Sequence, residues 1–471
     1  MSNVTVILPT KNEEDTLPII LPLLRNYNVI VVDDSDNDLT RLVAEKIGGC
    51  VFLKGVGNES PSIKYALEVA MNDQTVPFQT EYCVVMDCDG SQDVGIISQM
   101  IDSLKENQDL VVGSRYQEGG NKGPSNVFSS FGNIFAKFVL GTKTKDLTGR
   151  YIAAKPKLLL KLCEWKGRGE DSIELIFRAE KRGYSVKEIP FVYKRRIGGE
   201  SKTNISKYLI KYFLKVLSLK WDSWILYSID FISRGLIRDY LDTGKEIKPT
   251  WLGMSIYFLQ VPFYLIMSIP CRLPILDLMF NFVATNCPRG ITGFVLRGIY
   301  WKTKMGGMGK NCFMDYGTSV MGAENVFLGN NVHIDERCSM LCVAGKISIG
   351  EYVHVAANGL LQGKGGVEIQ DMATVSSLCK IYSATNYYKN ERGELVSCSA
   401  MAPAQEQYVK KFKIVIGENA FVGTGTAIIP YARIGNYAVI GSNGFVSSTI
   451  PDYSIAVGVP SRVIGEVKYE T

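Results

Sequence analysis

Two carboxylates in the first half of the sequence have the spacing of a metal-binding pair. Asp87 and Asp89 follow the apolar run YCVVM, where a buried strand would end. Carboxylate oxygens at positions i and i+2 can bind Mg²⁺ or Mn²⁺, and such an ion neutralises the diphosphate of a bound substrate. A solvated turn can carry the same pair, so the spacing alone leaves that alternative open.

The sequence contains two histidines, and both lie in its last third. His354 occurs in EYVHVAANG and His333 in NNVHIDE. Acyl transfer to a hydroxyl or an amine requires a base near the acceptor, and histidine commonly supplies it. We expect His354 to be the better candidate because it stands just ahead of a long irregular segment. A histidine at a surface corner is the alternative for both.

The elements that must position the acidic pair alternate along the first 193 residues. Short aliphatic runs such as VIVVDD and YCVVMD alternate with amphipathic stretches such as IISQMIDSLKEN. This pattern predicts strands and helices around a parallel sheet. Open α/β sheets bind ligands at the carboxyl ends of their strands, where these acidic residues fall. The sequence therefore predicts an α/β domain with a ligand site at that edge.

A six-residue repeat organises the sequence from about residue 310 onward. The repeat predicts a triangular coil with three short strands per turn, in which an aliphatic side chain points inward and glycine or asparagine turns the corner. The period breaks between Ser377 and Lys413, where we expect a loop extruded toward a site. The unbroken aliphatic positions are Ile416, Val422, Ile428, Ile434, Ile440 and Val446.

The N-terminal motifs, taken in order, resemble the family 2 glycosyltransferases, most nearly the polyprenol-phosphate mannosyl- and glucosyltransferases. The resemblance covers roughly residues 3–215 and rests on LPTKNEE, VVDDSD, MDCDGSQD, VVGSRYQEGG, DLTGRY, RGEDSIELIFRAEKRGYSVKEIPFVYKRR and GGESK. It implies a GT-A (Rossmann-like) fold and a GDP- or UDP-hexose donor. It also implies that Asp87 and Asp89 bind Mg²⁺ or Mn²⁺, and that the acceptor is a polyprenyl phosphate or a glycan.

The same resemblance assigns roles to individual residues. Asp89 is a catalytic residue through its metal, Arg115 would face the acceptor phosphate, and Glu174 would line the sugar pocket. A lipid phosphate needs no strong base, whereas a sugar hydroxyl would need one, with Asp146 or Glu174 as candidates. The residues expected to hold the nucleoside and the phosphates are Pro9, Thr10, Asn12, Glu13, Asp34, Asp87, Arg195, Ser201 and Lys202.

Two departures from the family pattern fall on the acceptor side. PSNVFSSFGN carries no arginine where the mannosyltransferases have basic residues, and the usual SGFR reads TGRY. These differences bear on the polyprenyl phosphate acceptor more than on the nucleotide-sugar donor.

Residues 305–467 resemble the hexapeptide-repeat acyltransferases, especially in IPDYSIAVGVPSRVIG. The resemblance implies a left-handed parallel β-helix, a homotrimer, and acetyl-CoA in the groove between neighbouring helices. Gly423, Gly425 and Gly441 would let the coenzyme approach the backbone, although simple turn geometry would explain the same glycines. Asn386 stands where many sugar O-acetyltransferases place a histidine. Either His354 supplies the base, or the domain serves as a trimeric scaffold.

The segment between the two halves predicts contact with a membrane. A lysine-rich amphipathic helix, SKYLIKYFLKVLSLKW, precedes residues 251–271, which carry no charge. That length suffices to span a bilayer, but Gln260, Pro262 and Pro270 interrupt it, so an interfacial or a core helix is the alternative. Eleven cysteines without a CxxC pair and the lack of a signal peptide favour the cytoplasmic face.

The domains predicted by these patterns are 1–215, 216–304 and 305–471. A net charge of +5 fits a membrane surface or anionic substrates at least as well as nucleic acid, and we expect no nucleic-acid partner. The combined prediction is a bifunctional enzyme of polysaccharide or glycolipid biosynthesis. One alternative is a glycosyltransferase whose β-helix is a scaffold. Another is a non-catalytic membrane assembly protein.

Overall fold

In a computed structural model the chain divides into two compact units, residues 1–222 and 223–471. The structure describes residues 3–72, 75–121, 127–167, 170–194, 205–225, 260–266, 268–269, 271, 273–287 and 291–467. The domain boundaries drawn from the sequence stay predictions.

A seven-stranded mixed sheet forms the centre of the first unit. Its strands are β1 (Val4–Thr10), β2 (Asn28–Asp33), β3 (Val51–Lys54), β4 (Tyr82–Val85), β5 (Leu110–Ser114), β6 (Ile152–Ala154) and β7 (Val186–Pro190). They lie in the order β3-β2-β1-β4-β6-β5-β7. Strand β6 runs antiparallel to both neighbours, and the other pairs are parallel. This order gathers the carboxyl ends of the parallel strands and the amino end of β6 at one edge.

Helices cover both faces of this sheet. Alternate residues of β1 enter two different cores, because successive side chains of a strand point to opposite faces. Ile7 belongs to one buried cluster, and Val6 and Leu8 belong to the other. The predicted α/β fold is confirmed. The helices are α1 (Leu17–Ile20), α2 (Leu39–Ile47), α3 (Glu59–Ala70), α4 (Ile97–Lys105), α5 (Val127–Leu140), α6 (Pro156–Leu162), α7 (Asp171–Lys181) and α8 (Ile205–Trp224).

Three sheets of parallel strands form the walls of a β-helix in the second unit, with one antiparallel strand, Arg462–Glu466, at the end of one sheet, and the predicted parallel β-helix is confirmed. The six predicted aliphatic positions each end a short strand and are at most 1% exposed. The first wall contains β8 (Gly307–Met308), β11 (Val326–Leu328), β14 (Ile347–Ile349), β17 (Val367–Ile369), β22 (Ile414–Ile416), β25 (Arg433–Ile434) and β28 (Thr449–Ile450). The second contains β9 (Phe313–Met314), β12 (His333–Ile334), β15 (His354–Val355), β18 (Thr374–Val375), β23 (Phe421–Val422), β26 (Val439–Ile440), β29 (Ser454–Val457) and β30 (Arg462–Glu466). The third contains β10 (Ser319–Met321), β13 (Ser339–Leu341), β16 (Leu360–Gln362), β19 (Lys380–Tyr382), β24 (Ala427–Ile428) and β27 (Phe445–Val446).

The break in the period is an antiparallel hairpin. Strands β20 (Ala384–Asn386) and β21 (Val409–Lys411) pair with each other outside the three walls. The coil continues through β19 before the hairpin, so the excursion is narrower than the predicted Ser377–Lys413. It resumes at β22, where Ile414 lies opposite Val367 of β17. The hairpin therefore interrupts the sequence repeat without interrupting the wall.

Helices α9 (Pro274–Asn286) and α10 (Ile291–Lys304) lie directly before the first coil. Arg297 of α10 is fully buried, and it donates from Nε to the carbonyl oxygen of Met314 at 2.7 Å. This bond ties α10 to the start of the β-helix. Residues 251–259 of the apolar segment lie outside the described residues, and residues 260–266 are helical. Within the described part of the chain, no helix combines the length and apolar character that crossing a bilayer requires.

Candidate active sites

The loops after β1 and β2 are tied together at the carboxyl edge of the sheet. The hydroxyl of Thr10 donates to Asp33 Oδ1 at 3.0 Å. Ser35 Oγ donates to the same oxygen at 2.6 Å and accepts from the backbone N–H of Asn12 at 2.6 Å. The predicted nucleotide residues Thr10 and Asn12 thus share a network with Asp33 and Ser35, to which the sequence assigned no role.

Asp34 holds the loop after β3 against this network. Its Oδ1 accepts from the N–H of Gly57 at 2.8 Å, and its Oδ2 accepts from the hydroxyl of Ser62 at 2.8 Å. Pro9 lies near the end of β1, and Glu13 Oε2 accepts from Thr16 Oγ1 at 2.6 Å. Apart from Asp87, which follows β4, the described members of the predicted nucleotide set therefore lie in or directly after β1 and β2. Arg195, Ser201 and Lys202 lie outside the described residues.

The acidic pair follows β4, the neighbour of β1. Ser91 donates from its N–H and its hydroxyl to Asp89 Oδ1, at 3.0 and 2.5 Å. The side-chain amide of Gln92 donates to Asp87 Oδ2 at 3.1 Å. Burial raises the pKa of Cys88 to about 12, so this thiol stays neutral near pH 7. The anionic donors here are carboxylate oxygens, which fit Mg²⁺ or Mn²⁺ together with substrate phosphates.

Arg150 adds a cation beside the acidic pair. Its Nη2 lies 2.5 Å from Glu59 Oε1 and 3.4 Å from Asp87 Oδ1. The antiparallel direction of β6 explains this position, because Ile152 at its amino end lies opposite Val85 at the carboxyl end of β4. No motif indicated a role for Arg150 beyond its place in TGRY. The signal in the sequence was an arginine just before a strand. Its contact with Asp87 could be inferred only by knowing that β6 runs antiparallel to β4.

Arg115 and Asp146 form a buried bidentate pair. Arg115 donates from Nε and Nη2 to the two carboxylate oxygens of Asp146 at 2.8 and 2.9 Å, and from Nη2 to Thr148 Oγ1 at 2.8 Å. Burial acts to raise the pKa of Asp146, but the hydrogen bonds and charge of Arg115 hold this pKa below its usual value. A carboxylate of lowered pKa is a weak base, which disfavours Asp146 in that role. The contact of Arg115 with an acceptor phosphate stays a prediction.

Glu174 lies at the junction of α7 and α8. It is 1% exposed and forms ion pairs with Arg178 of its own helix and with Lys215 of α8. Two other buried groups, Cys163 and Asp171, place ligand atoms within 4.8 Å of its carboxylate. The ion pair with Lys215 joins α8 to the sheet domain, and the predicted place of Glu174 in a sugar pocket stays a prediction.

Both histidines meet on one wall of the β-helix. His333 of β12 lies opposite His354 of β15 on the next coil, and their ring centroids are 5.4 Å apart. The Nε2 atoms of His333 and His354 lie 3.2 and 3.1 Å from the two oxygens of Asp335. Because an ionised carboxylate only accepts hydrogen bonds, His354 would donate to Asp335 from Nε2, which leaves Nδ1 as the ring nitrogen available to accept a proton. No motif in the sequence indicated a role for Asp335.

The other predicted acyl-transfer residues have structural partners of their own. Asn386 lies in the β20–β21 hairpin and donates from Nδ2 to the carbonyl oxygen of Cys398 at 3.0 Å. A Cβ on Gly423, Gly425 or Gly441 would lie within 2.8 Å of an atom of the neighbouring coil. Coil packing thus suffices to explain the three glycines, and their contact with a coenzyme stays a prediction.

Comparisons with known proteins match each half separately. The sequence profile of glycosyl transferase family 2 matches residues 5–162. The polyprenol monophosphomannose synthase of Mycolicibacterium smegmatis is 30% identical over 223 residues, which are 44% of this chain and 84% of that protein. The dTDP-4-amino-4,6-dideoxy-D-glucose acyltransferase of Escherichia coli is 31% identical over 159 residues, 34% of this chain and 81% of that protein.

A solved structure also matches the second half. It is AntD, an N-acyltransferase from Bacillus cereus, in complex with dTDP and 3-hydroxybutyryl-CoA. The two sequences are 30% identical, the match covers 36% of this chain and 86% of that one, and the TM-score is 0.32.

The two folds, their sites and these relatives define a fused transferase, with a glycosyltransferase domain followed by an acyltransferase domain. The N-terminal domain belongs to glycosyl transferase family 2, and the C-terminal domain belongs to the acyltransferase family of the E. coli relative.

Proposed function

We propose that the N-terminal domain transfers a hexose from GDP- or UDP-hexose to a polyprenyl phosphate, with inversion and with Mg²⁺ or Mn²⁺. The observation that carries this proposal is the meeting of Asp87, Asp89 and Arg150 beside the nucleotide loops at one sheet edge. The similarity to a polyprenol monophosphomannose synthase supports the acceptor. A glycan acceptor is the alternative.

The transfer would depend on positioning and charge neutralisation. A lipid phosphate is already an anionic nucleophile near neutral pH, so no strong base is required. Arg150 brings positive charge next to Asp87, where the nucleoside diphosphate would leave. A metal ion held by Asp87 and Asp89 would supply additional neutralisation of that diphosphate. Attack from the face opposite the leaving group inverts the anomeric carbon.

A transfer assay tests donor, acceptor and metal together. Radiolabelled GDP- and UDP-hexoses are incubated with polyprenyl phosphate in Mg²⁺, in Mn²⁺ or with EDTA. We expect labelled lipid with one of the donors, loss of the product with EDTA, and recovery when Mn²⁺ is added back. Equal transfer in EDTA would contradict the metal, and transfer to a glycan alone would contradict the lipid acceptor.

We also propose that the C-terminal domain acylates a nucleotide-linked amino sugar from acetyl-CoA. The observation that carries this second function is the His354–Asp335 pair on the coil wall. In this reaction His354 Nδ1 takes a proton from the attacking amine, the new amide bond forms as the thioester bond breaks, and the same proton passes to the departing sulfur, so that coenzyme A leaves as the thiol. The dTDP-linked substrate in the name of the E. coli relative supports this acceptor class.

Release of coenzyme A tests this assignment. The full chain is incubated with acetyl-CoA and dTDP-amino sugars, and thioester loss is followed by chromatography. Turnover in the wild type that falls about 100-fold or more in His354→Gln supports the base. Equal turnover in both proteins would exclude His354, and a lack of turnover with any amino or hydroxy sugar would favour the scaffold.

A face of the first unit supports the proposal that a membrane surface is a partner, and the free cysteines support its cytoplasmic side. Helices α5 and α8 pack together through Phe135 and Phe213, and Tyr212 donates to the carbonyl oxygen of Gly132 at 3.1 Å. Both helices nevertheless present large apolar side chains to solvent. We call this surface the α5–α8 face; its exposed apolar residues are Phe131, Ile134, Phe138, Ile210, Leu214, Leu217 and Trp221.

The α5–α8 face has the chemistry of an interfacial surface. A helix that is apolar on its solvent side as well as its packed side favours a second apolar partner. Lys137 and Lys211 are exposed beside the apolar residues and would favour anionic lipid headgroups. We therefore propose peripheral or monotopic attachment through this face.

Vesicle flotation tests the attachment. Phe138→Glu with Leu214→Glu should weaken binding to phosphatidylglycerol vesicles about tenfold or more, since burial of two apolar side chains is lost. Leu42→Glu is the matched control, because Leu42 and Leu214 are 58% and 60% exposed. Equal loss in the control, or none in the double variant, would count against this face.

The acyltransferase family supports a homotrimer as the assembly. Light scattering after gel filtration should then give three times the chain mass of 52.2 kDa. A monomeric mass in detergent and in buffer would contradict the trimer.

A further inference from the structure

The two histidines of this 471-residue chain lie on adjacent coils and share one carboxylate. We propose that His333, Asp335 and His354 bind one divalent transition-metal ion such as Zn²⁺, Co²⁺ or Ni²⁺. This site is separate from the acidic pair of the glycosyltransferase domain. The proposal does not rest on either function proposed above. An ion bound through Nε2 would keep the ring proton of His354 on Nδ1, so the metal-bound chain would not use His354 as a base.

The ligand atoms already converge. One atom from each of the three side chains lies within 4.8 Å of the others. The separations between histidine Nε2 and Asp335 oxygen are 3.2 and 3.1 Å. Two atoms about 3.1 Å apart, each about 2.1 Å from an ion, subtend about 95° at it, which is a normal ligand angle for these metals.

The coil fixes the spacing of the three side chains. The β12–β15 pairing sets His333 opposite His354, and the N–H of Asp335 donates to the carbonyl oxygen of Val355 at 2.9 Å. Ile334, between the first histidine and the aspartate, points into the core, so His333 and Asp335 share the outer surface. A rigid wall thus presents the three ligands together, which lowers the ordering cost of binding.

The chemistry of the donors selects the class of ion. Two imidazoles and a carboxylate suit Zn²⁺, Co²⁺, Ni²⁺ or Cu²⁺, whereas Mg²⁺ prefers oxygen ligands alone. The side chains of His333, Asp335 and His354 are 47%, 26% and 43% exposed, so an ion can enter and keep water in its remaining positions. The other three-residue cluster found among the described residues, Cys163, Asp171 and Glu174, is fully buried and paired with Lys215. A metal ion in solution could not reach this buried cluster as it could reach the exposed histidines.

Histidine NMR tests the proposal directly, because the chain has two histidines and hence two side-chain signals. The full chain, with any histidine tag removed, is labelled with ¹³C-histidine in a Cys398→Ser background, which removes the exposed thiol. Zn²⁺ is titrated in excess Mg²⁺, which occupies the acidic pair. Both signals should shift together and stop shifting at one ion per chain.

Variants separate the site from adventitious binding. His333→Gln and Asp335→Asn should each weaken Zn²⁺ binding about tenfold or more, since each removes a ligand. Both changes lie on the exposed wall, and an unchanged melting temperature without metal verifies the fold. A shift of one signal, no shift, or wild-type affinity in His333→Gln would overturn the proposal.

Discussion

At the scale of single residues, the carboxylate of Asp87 provides a test of the proposed glycosyltransferase site. Asp87→Asn removes a charge next to Arg150 while the side-chain amide keeps the volume. We expect nucleotide-sugar turnover to fall about 100-fold or more, because diphosphate neutralisation is lost. The change in unfolding free energy should be small, since the side chain is 29% exposed.

The control for this substitution is Glu106→Gln, which changes an exposed carboxylate paired with Lys187. Its turnover should equal that of the wild type. Wild-type turnover in Asp87→Asn would show that the acidic pair is not the diphosphate site.

The buried pair of Arg115 and Asp146 makes a prediction about acid stability. Asp146→Asn leaves the guanidinium buried without its counter-charge, which costs about 3–5 kcal/mol of unfolding free energy near neutral pH. The folded-state pKa of Asp146 is lowered, so its stabilisation is complete above the unfolded-state pKa near 4 and is lost as pH falls through the folded-state pKa. The variant should therefore lose less stability than the wild type when pH drops below about 4.

Urea denaturation of the first unit, followed between pH 3 and pH 7, provides this measurement. The exposed pair of Arg41 and Glu45 supplies the control, because Glu45→Gln should change stability by about 0.5 kcal/mol or less. Parallel pH profiles for Asp146→Asn and the wild type would contradict the account.

The positions of site residues at the ends of single strands could be predicted from the sequence, whereas contacts between residues on distant strands could not. Thr10 ends a strand and Asn12 and Asp87 follow strands, so their place at the sheet edge could be inferred from the pattern. The contact between Arg150 and Asp87 depends on β6 running antiparallel, which no local pattern encodes. Asp335 lies two residues after His333 in the sequence, but its contact with His354 comes from the coil register.

At the scale of elements, two glycines of the β-helix allow the cost of a left-handed turn to be distinguished from the cost of overpacking a coil. Gly425 and Gly393 both have left-handed φ values, +75° and +81°. An alanine costs about 1–2 kcal/mol in that conformation at either position. At Gly425 its Cβ would also lie 2.3 Å from Asn443 Oδ1, and at Gly393 it meets no atom within 4 Å.

We therefore expect Gly425→Ala to destabilise the β-helix by about 1–3 kcal/mol more than Gly393→Ala, through overpacking. Thermal unfolding of the two variants measures the difference. Equal melting temperatures, with a weaker affinity for acetyl-CoA in Gly425→Ala, would instead favour the coenzyme role.

The β20–β21 hairpin makes a prediction of its own. Replacing residues 387–408 with a short Gly-Ser turn should preserve the coil, because β17 pairs directly with β22 across the excursion. Acyl transfer should be lost if the hairpin contributes to the acceptor site. Circular dichroism measures whether the coil is preserved, and the acetyl-CoA assay measures acyl transfer. Wild-type acyl transfer in the shortened chain would exclude the hairpin from the site.

The six-residue period was the most predictable feature of the fold because each coil repeats the same local requirement. An inward aliphatic residue and a corner residue recur whatever the distant contacts are. The prediction placed glycine or asparagine at the corners. Tyr352, Tyr437 and Tyr453 also adopt left-handed φ values of 56° or 57°. The direction of β6 and the pairing inside the hairpin depend on contacts between distant segments, which a local period does not contain.

At the scale of the whole molecule, two compact units carry two sites that share no residue. A chain with separate sites should lose one activity at a time. The acidic pair belongs to the first unit, and the His–Asp–His cluster belongs to the second. Fusion would then keep glycosyl transfer and sugar acylation in one polypeptide without coupling their chemistry.

The most direct measurement assays both activities in the wild type, Asp87→Asn and His354→Gln. We predict that the wild type transfers hexose and consumes acetyl-CoA, that Asp87→Asn loses hexose transfer alone, and that His354→Gln loses acyl transfer alone. A wild type without acyl transfer, or a single variant that abolishes both activities while remaining folded, would contradict a chain with two independent transferase sites.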